Sequence, residues 1–503
     1  MAVYQPKTPM YAHQKAGVKF IFSQFSKDLG AALLWEPRTG KTKASVDTAT
    51  ILYKKYGVRK IVVIAPNRVL GVWVKEFALH SSLVVNTIIW DADARKQPIP
   101  SQAGCYDLEM VIVNYEAFGT PGKKTPSWRR SKTTGRFKHR AMLKAWVGDN
   151  DALLIVDEGH KLKNPSGKAA NMIISMRPMF KYRLLLTGTP ITKAKRAHDV
   201  YMLWQMVNPD RFREWGSTVD QFKNHIGRWI SSNGYPQWVG PRPRGIADLK
   251  RGLHQDGMVV RRDECFDLPK SDERVISVPL KASTRFYDDM ADEMITKLDN
   301  GEIAEASIPL VVTLRLLQIT SGFVGVRTPH PTKPDKFLTV AHRVGTEKLD
   351  ALRELLVEEV IERDEKVVIV ARFKMDLDSI EKLCEELGIK SWSIRGGLHR
   401  SVTDDNVRAF AQHDGAGAMI VQPQAAALGI DLSTAPQMIW FSLTSSWVDF
   451  QQCKDRIALS RKSTTFTYLL AEGTVDELVK DALKLDGQVS KEILTNHQRL
   501  RRY

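Results

Sequence analysis

Short apolar runs, each too brief for a helix, recur in both halves of the chain and constrain its fold more than any other feature. The eight runs are residues 61–64, 110–113, 153–156, 183–186, 366–370, 418–421, 438–441 and 467–470. Continuous apolar strands of this kind are buried on both faces, as in parallel sheets flanked by helices. The pattern therefore predicts an α/β fold with two parallel sheets, one in each half of the chain.

The stretch between the two sets of runs has a different character. Residues 210–245 are rich in Trp, Arg, Gly and Pro, and residues 280–320 have a helical pattern. We predict four segments, namely a first α/β domain at 1–209, an insertion with a candidate β-hairpin and linker at 210–275, a helical segment at 276–345, and a second α/β domain with a basic tail at 346–503.

Charge and cysteine content restrict the partners and the compartment. The 503 residues include 74 Lys and Arg against 57 Asp and Glu, a formal net charge of +17. This excess favours a polyanionic partner, nucleic acid first, over a merely basic soluble protein. Four widely spaced cysteines without a CxxC pair exclude a disulfide scaffold and argue against structural zinc. No run is long enough to span a membrane, so we expect a soluble intracellular protein, cytoplasmic or nucleoid-associated, or in the host cytoplasm if phage-encoded.

A Gly-Lys-Thr sequence follows the apolar residues Leu33-Leu34 and precedes a helical stretch. A strand, a glycine turn and a helix N-terminus in this order form a site for phosphate groups, because backbone N–H groups point at the anion. Lys41 is placed to reach the β- and γ-phosphates, and the Thr42 hydroxyl to bind Mg²⁺. Trp35 and Arg38 stand where versions of this loop have glycine, so the match is incomplete.

Two acidic residues, Asp157 and Glu158, come directly after the apolar run 153–156. The carboxyl end of a buried parallel strand is where open α/β sheets bind ligands. Asp157 can hold Mg²⁺, and Glu158 can orient and deprotonate an attacking water. The alternative is a solvated acidic turn. The phosphate loop on a neighbouring strand favours the catalytic interpretation over this alternative.

The motifs, taken in order, resemble the Swi/Snf-like branch of the superfamily-two helicases. Asp-Glu-Gly-His at 157–160 resembles the DEAH box, and the resemblance spans about residues 10 to 485. The other matching segments are 13–14 (Q motif), 65–68 (motif Ia), 114–116 (motif Ib), 186–191 (motif III), 368–373 (motif IV), 426–432 (motif V) and 451–456 (motif VI).

This resemblance implies an ATP- and Mg²⁺-dependent hydrolase in which ATP sits between two RecA-like domains in tandem. Gln14 would bind adenine, and Thr42 and Asp157 would hold the metal. The implied nucleotide-binding residues are Gln14, Arg38, Thr39, Gly40, Lys41, Thr42, Gly429 and Asp431. The implied catalytic residues are Lys41, Asp157, Glu158, Gln452, Arg456 and Arg461.

Motif VI departs from the family pattern. The family has a second arginine three positions after the first, where this chain has Leu459, and Arg461 follows two residues later. The arginine that reaches the γ-phosphate is therefore either Arg456 or Arg461. Alternatively, Arg456 only ties its helix to the sheet.

Two groups of residues are candidates for contacts with nucleic acid. The family resemblance implies contacts from Asn67, Arg68, Asn114, Tyr115 and Arg372. The second group is a basic segment between motifs Ib and II, with Lys123, Lys124, Arg129 and Arg130 around a tryptophan. A solvated charged loop is the alternative for this segment.

A β-hairpin is predicted over residues 228–239, because Asn233-Gly234 is a strong turn dipeptide between two short runs. Its Trp229, Tyr235 and Trp238 could form a pin that stacks on a terminal base pair and separates the strands. Alternatively, these rings pack on the domain, as large aromatic side chains usually do.

The sequence thus predicts a DNA helicase or translocase acting on duplex, forked or branched DNA, with unwinding, fork regression or branch migration as possible outputs. Because the chain carries the motor and little else, it resembles a compact phage or prokaryotic repair and recombination helicase more than a chromatin remodeller. An RNA helicase and a nucleic-acid-stimulated ATPase switch without processive movement are the alternatives.

Overall fold

A computed structural model describes residues 5–101, 104–119, 134–232, 235–266, 271–292, 295–297, 303–305, 309–330, 333–428, 430–457 and 463–494. The chain divides into two compact units. The first comprises Met1–Asp267 with Asp486–Tyr503, and the second comprises Leu268–Leu485.

The first unit is built on a parallel sheet of seven strands in the order β3-β4-β2-β5-β6-β1-β9. Its strands are β1 (Ala31–Trp35), β2 (Lys60–Ala65), β3 (Val85–Ile89), β4 (Leu108–Asn114), β5 (Ala152–Asp157), β6 (Tyr182–Leu186) and β9 (Gly257–Val260), with β7 (Gly227–Ser232) and β8 (Tyr235–Pro241) in a separate hairpin. Its helices are α1 (Ala12–Phe25), α2 (Lys41–Tyr56), α3 (Leu70–His80), α4 (Thr134–Val147), α5 (Lys168–Ser175), α6 (Val200–Val207), α7 (Val219–Ile226) and α8 (Pro243–Asp256).

The second unit has a parallel sheet of six strands in the order β10-β19-β18-β15-β17-β16. The strands of this sheet are β10 (Ser271–Val278), β15 (Lys366–Val370), β16 (Lys390–Ile394), β17 (Gly417–Val421), β18 (Gln437–Trp440) and β19 (Thr464–Ala471). The unit also contains β11 (Ile295–Lys297), β12 (Ile303–Glu305), β13 (Phe323–His330) and β14 (Lys333–Arg343). The helices are α9 (Thr284–Asp292), α10 (Pro309–Thr320), α11 (Glu347–Leu356), α12 (Lys374–Glu386), α13 (Arg400–Gln412), α14 (Trp447–Lys454) and α15 (Val475–Leu494), whose residues up to Leu485 belong to this unit.

The apolar runs form buried strands because both faces of each sheet are covered. Along β1, Leu33 packs into one hydrophobic cluster and the next residue, Leu34, into another on the opposite face. Adjacent side chains of a strand point to opposite faces, so a run without polar residues requires cover on both sides. The predicted α/β fold with two parallel sheets is confirmed, and each of the eight runs contributes to a strand.

Two segments differ from the sequence-based division. The predicted insertion at 210–275 contains β9, which pairs in parallel with β1 and completes the first sheet. The predicted helical segment at 276–345 contains α9 and α10, but also an antiparallel pair, β13 with β14. In both cases a strand forms because it pairs with another strand, which in the first case is distant in sequence. Local periodicity does not reveal such pairings.

Among the helices that the structure describes, none combines the length and the apolar character needed to cross a bilayer.

Candidate functional site

The phosphate loop connects β1 to α2 through a turn that requires glycine. Gly40 precedes the helix with φ 85°, in the left-handed region. A Cβ at this position would lie 2.1 Å from the Gln14 side-chain nitrogen, so a larger residue has no room. Arg38 also has positive φ, 66°. The turn places the N-terminus of α2 at the edge of the sheet where β1 ends, which is the geometry of an anion-binding site.

Lys41 is folded against the loop that precedes it. Its ammonium group donates hydrogen bonds to the carbonyl oxygens of Trp35, at 2.7 Å, and Glu36, at 3.2 Å. The Thr39 hydroxyl donates to the Glu36 carbonyl at 2.7 Å. The loop is thus held in shape by its own side chains, with the Lys41 cation at its centre.

A cavity of about 220 Å³ adjoins the loop. Its lining includes Tyr11, Gln14, Arg38, Thr39, His80 and Phe266. The buried Gln14 amide accepts the Tyr11 N–H at 3.0 Å and donates to the Thr39 carbonyl at 3.4 Å, and the His13 ring contacts the same carbonyl at 2.7 Å. His13 and Gln14 therefore attach the start of α1 to the phosphate loop, and the planar Gln14 amide lies at the cavity wall.

Phe266 is a wall of this cavity that sequence reasoning missed. Its ring meets the Tyr11 ring edge to face, with centroids 5.5 Å apart. It reaches the loop because β9 pairs with β1, and the residues after β9 continue across the loop. There the Arg262 N–H donates to the Glu36 carboxylate at 2.9 Å, and the Glu36 N–H donates to the Val260 carbonyl at 2.9 Å. No motif marks Phe266, since the contact depends on a strand pairing some 225 residues apart in sequence.

The acidic box lies at the same edge of the sheet as the phosphate loop. Asp157 ends β5, which pairs in parallel with β6, and β6 pairs with β1. Burial, then the negative charge of Glu158, raises the pKa of the Asp157 carboxyl to about 6, while the charge of Lys41 acts in the opposite direction. Burial makes negative charge costly here, and the charge of Lys41 offsets that of the two carboxylates only in part. This edge of the sheet is therefore suited to a divalent cation.

Glu158 has a left-handed backbone with φ 53°. Such a conformation is strained for a residue other than glycine and is concentrated at functional sites. Its carboxylate lies 3.2 Å from the His160 ring nitrogen, which is 3.4 Å from the Thr187 hydroxyl after β6. A polar chain therefore connects motif III to the box. Gly159 packs so closely that a Cβ would lie 2.5 Å from the Leu185 side chain.

Motifs Ia and Ib meet beside the box. The Asn114 side chain donates to the Asn67 oxygen at 3.3 Å and accepts from Arg95 at 3.0 Å. Tyr115, predicted to contact nucleic acid, is instead buried, and its hydroxyl donates to the Asp157 carbonyl at 2.6 Å. Tyr115 therefore supports the acidic box, because a ring that points into the protein cannot also reach the backbone of a nucleic acid. The side chain of Arg68 lies outside the described residues.

In the second unit, Arg456 is only 8% exposed. Its guanidinium donates to the carbonyl oxygens of Gln452, at 3.0 Å, and Ile430, at 3.3 Å. These bonds join motif VI to motif V, whereas the alternative drawn from the sequence was that Arg456 ties its helix to the sheet. Asp431 is exposed and accepts the Ser433 N–H at 3.0 Å. Gly429 and Arg461 lie outside the described residues.

Arg372 of motif IV was predicted to contact nucleic acid. Its guanidinium is half-buried and lies over the Phe373 ring, 5.4 Å from the centroid. Desolvation lowers the pKa of this group. The basic residues Lys123, Lys124, Arg129 and Arg130 lie outside the described residues.

The predicted hairpin is present as β7 and β8, and its two tryptophans differ. Trp238 packs against the core of the first unit, donates its indole N–H to the Lys195 carbonyl and meets the His198 ring edge to face at 5.3 Å. Its cross-strand partner Trp229 is 40% exposed, and Ile230 is 48% exposed. The side chain of Tyr235 lies outside the described residues. Trp238 anchors the hairpin to the core of the first unit, whereas the exposed side chains of Trp229 and Ile230 form an apolar patch on the hairpin.

A model described as SNF2-related domain matches residues 13–321, and one described as Helicase conserved C-terminal domain matches residues 347–459. The chain belongs to the SNF2-related family. It is thus an ATPase of the SNF2 helicase family, and its two matched regions hold the motifs predicted from the sequence.

Relatives of this SNF2-related chain are diverse. It is 22% identical over 457 residues to the DNA repair and recombination protein RDH54 of Saccharomyces cerevisiae, covering 87% of this chain and 46% of that protein. It is 23% identical over 500 residues to the CHD3-type chromatin-remodeling factor PICKLE of Arabidopsis thaliana, covering 94% of this chain and 33% of that protein. The chain therefore spans less than half the length of either relative. The Sulfolobus solfataricus SWI2/SNF2 ATPase core in complex with dsDNA aligns with a TM-score of 0.41 at 18% identity, over 100% of this chain and 98% of that one.

Proposed function

We propose that the protein is a Mg²⁺-dependent ATPase that moves along duplex DNA, with forked or branched DNA among its substrates. The observation that carries the proposal is the convergence of the phosphate loop and the acidic box at one sheet edge, with motifs Ia and Ib hydrogen-bonded beside them. Nucleotide chemistry and a candidate nucleic-acid contact thus lie side by side in one unit, so a change at one can reach the other through a few direct contacts.

In this proposal the triphosphate lies at the N-terminus of α2, with Lys41 exchanging its two carbonyl contacts for phosphate oxygens. The base enters the cavity between Gln14 and Phe266. Thr42 and Asp157 supply hard oxygen ligands of the kind that Mg²⁺ takes alongside phosphates, so the residues present fit this ion. Bound Mg²⁺ neutralises charge on the phosphates. Glu158, oriented by His160, accepts the proton of the attacking water.

Support for DNA as the partner comes from charge and from relatives. The formal charge of +17 favours a polyanion without reading its sequence. One relative is named for DNA repair and recombination and another for chromatin remodeling. An RNA helicase and an ATPase switch without movement remain the competing functions. Displacement of a third strand from a DNA triplex tests the proposal, because a translocase removes the strand and a switch hydrolyses ATP without removing it.

We also propose that the Trp229 and Ile230 patch contacts DNA ends or junctions. Exposed Arg228, Arg242 and Arg244 lie on or next to the hairpin in sequence, and the carbonyl of exposed Lys195 accepts the Trp238 indole N–H. An exposed ring beside cations is suited to a stacked base with a neighbouring phosphate.

Replacing Trp229 with Ala and Ile230 with Ser should leave thermal stability and duplex affinity unchanged and weaken binding to a forked DNA about tenfold, since stacking on one base is worth roughly 1–3 kcal/mol. Fluorescence anisotropy with a forked duplex and a matched duplex closed by a loop at each end measures this difference. Trp238→Ala is the contrasting variant and should lower the free energy of unfolding by about 3 kcal/mol. An affinity for the forked DNA equal to that of the parent, an equal weakening on both DNAs, or a stability loss matching that of Trp238→Ala would contradict the assignment.

A further inference from the structure

Helix α3 touches three parts of the candidate site along its length. The turn containing Asn67 immediately precedes it, and Asn67 is bonded to Asn114. Trp73, one turn into the helix, donates its indole N–H to the Asp157 carboxylate at 3.0 Å. Glu76 and His80, on the following turns, line the cavity beside the phosphate loop. Trp73 has no role in the mechanism described so far.

The bond from Trp73 determines how the Asp157 carboxylate is oriented. One carboxylate oxygen accepts the main-chain N–H of Glu158 at 2.9 Å, and the other accepts the Trp73 N–H. A carboxylate held by a single bond can turn about its terminal torsion, which has a broad energy minimum. A second bond from the opposite side fixes its plane, and each oxygen keeps a lone pair for another ligand.

Trp73 itself is held rigidly. Its side chain is 1% exposed and belongs to the hydrophobic cluster under the first sheet, with the Phe77 ring at 6.4 Å. A buried ring in a packed core has little freedom to follow a moving partner. The carboxylate is therefore fixed by the core of the unit through α3.

We propose that Trp73 is a positioning residue that holds the Asp157 carboxylate in the orientation needed to bind Mg²⁺ together with nucleotide. This inference rests on the proposed function, since it assumes that Asp157 is a ligand of the metal. Within the part of the chain that the structure describes, the indole N–H donates to the Asp157 carboxylate alone. Its loss should weaken the binding of metal with nucleotide and leave metal-free nucleotide binding intact.

The test compares Trp73→Phe with Trp90→Phe in the full chain. Trp90 is also 1% exposed in the first unit, and its indole N–H has no hydrogen-bond partner in the part of the chain that the structure describes. Both variants lose the same atoms from a buried ring, but only one loses a bond to a carboxylate. The probe is a fluorescent N-methylanthraniloyl derivative of ADP, titrated once in EDTA and once in excess Mg²⁺. The ratio of the two Kd values is the gain in affinity due to the metal.

We expect Trp73→Phe to reduce this gain about tenfold, the effect of one hydrogen bond to a charged group. Its Kd in EDTA should match that of the parent, and Trp90→Phe should match the parent in both conditions. An unchanged gain in Trp73→Phe, an equal loss in Trp90→Phe, or a Kd that rises equally with and without metal would overturn the proposal. A parent protein that shows no gain with Mg²⁺ would instead contradict the proposed function.

A second variant preserves the shape of the ring in case Trp73→Phe unfolds. Site-specific incorporation of 3-benzothienylalanine at position 73 replaces the indole N–H with sulfur and keeps the two fused rings. The packing under the first sheet should therefore be retained and only the donated proton removed. The same tenfold reduction of the metal-dependent gain is expected, and a gain equal to that of the parent would overturn the proposal.

Discussion

Replacing Glu158 with glutamine is expected to lower the kcat of ATP hydrolysis by about a hundredfold to ten-thousandfold and to leave the Kd for ATP nearly unchanged. Glutamine has the shape of glutamate but cannot accept a proton from water. The Glu158 backbone is already set by its left-handed turn, and its side chain is oriented by His160 at 3.2 Å. The substitution therefore removes the base and keeps the geometry around it.

Single-turnover hydrolysis and a nucleotide titration on the same preparation measure the two quantities. Glu116→Gln is a suitable control, because Glu116 is exposed on the turn after β4 and has no assigned role in the chemistry. Hydrolysis by Glu158→Gln at the parent rate would remove this residue from the mechanism. A parallel loss of ATP affinity would mean that Glu158 holds the metal or nucleotide instead of activating water.

The second large effect is expected at motif VI, where Arg456→Ala and Arg461→Ala should fail in different ways. Both described bonds of the Arg456 guanidinium go to carbonyl oxygens of motifs V and VI, and the side chain is only 8% exposed. Its removal leaves buried acceptors without donors, so we expect the free energy of unfolding to fall by about 3 kcal/mol. Arg461 is then the candidate to stabilise charge on the transferred phosphoryl group, and its loss should cost about a thousandfold in kcat with ATP binding retained.

Denaturant unfolding and steady-state hydrolysis of the two variants separate these roles. Arg456→Lys provides a further comparison, because lysine keeps the charge but lacks the planar fork that reaches two carbonyls. Wild-type stability of Arg456→Ala with a thousandfold lower kcat would assign the finger to Arg456. Mild and equal effects of both alanine variants would mean that another residue completes hydrolysis.

The parts of this protein that follow local rules were predictable from the sequence. Continuous apolar runs indicated strands buried on two faces, and Gly40-Lys41-Thr42 and Asp157-Glu158 were placed correctly at strand ends, because strand, turn and helix follow one another along the chain. The hairpin of β7 and β8 was likewise predictable from its turn dipeptide.

The parts that depend on distant pairing were not predictable. Phe266 reaches the cavity beside the phosphate loop only because β9 joins the first sheet beside β1. Tyr115 was predicted to contact nucleic acid, yet its hydroxyl bonds to the Asp157 carbonyl, and the Trp73 indole bonds to the Asp157 carboxylate. The direction of a side chain near a strand end depends on which helix covers the sheet there, and a single sequence carries little information on that choice. For the same reason the difference between Trp229 and Trp238 emerged only from the structure.

We propose that ATP hydrolysis moves this protein along duplex DNA, and displacement of the third strand of a triplex measures that movement. A closed circular duplex carrying a labelled third strand offers no free end, so release of the label reports movement without strand separation. Lys41→Ala is the inactive comparison, and Lys55→Ala, exposed near the end of the same helix, controls for lost charge. We predict release that requires ATP and Mg²⁺, with Lys55→Ala active and Lys41→Ala inactive. DNA-stimulated ATP hydrolysis with the third strand still bound, or hydrolysis stimulated by RNA alone, would contradict the claim.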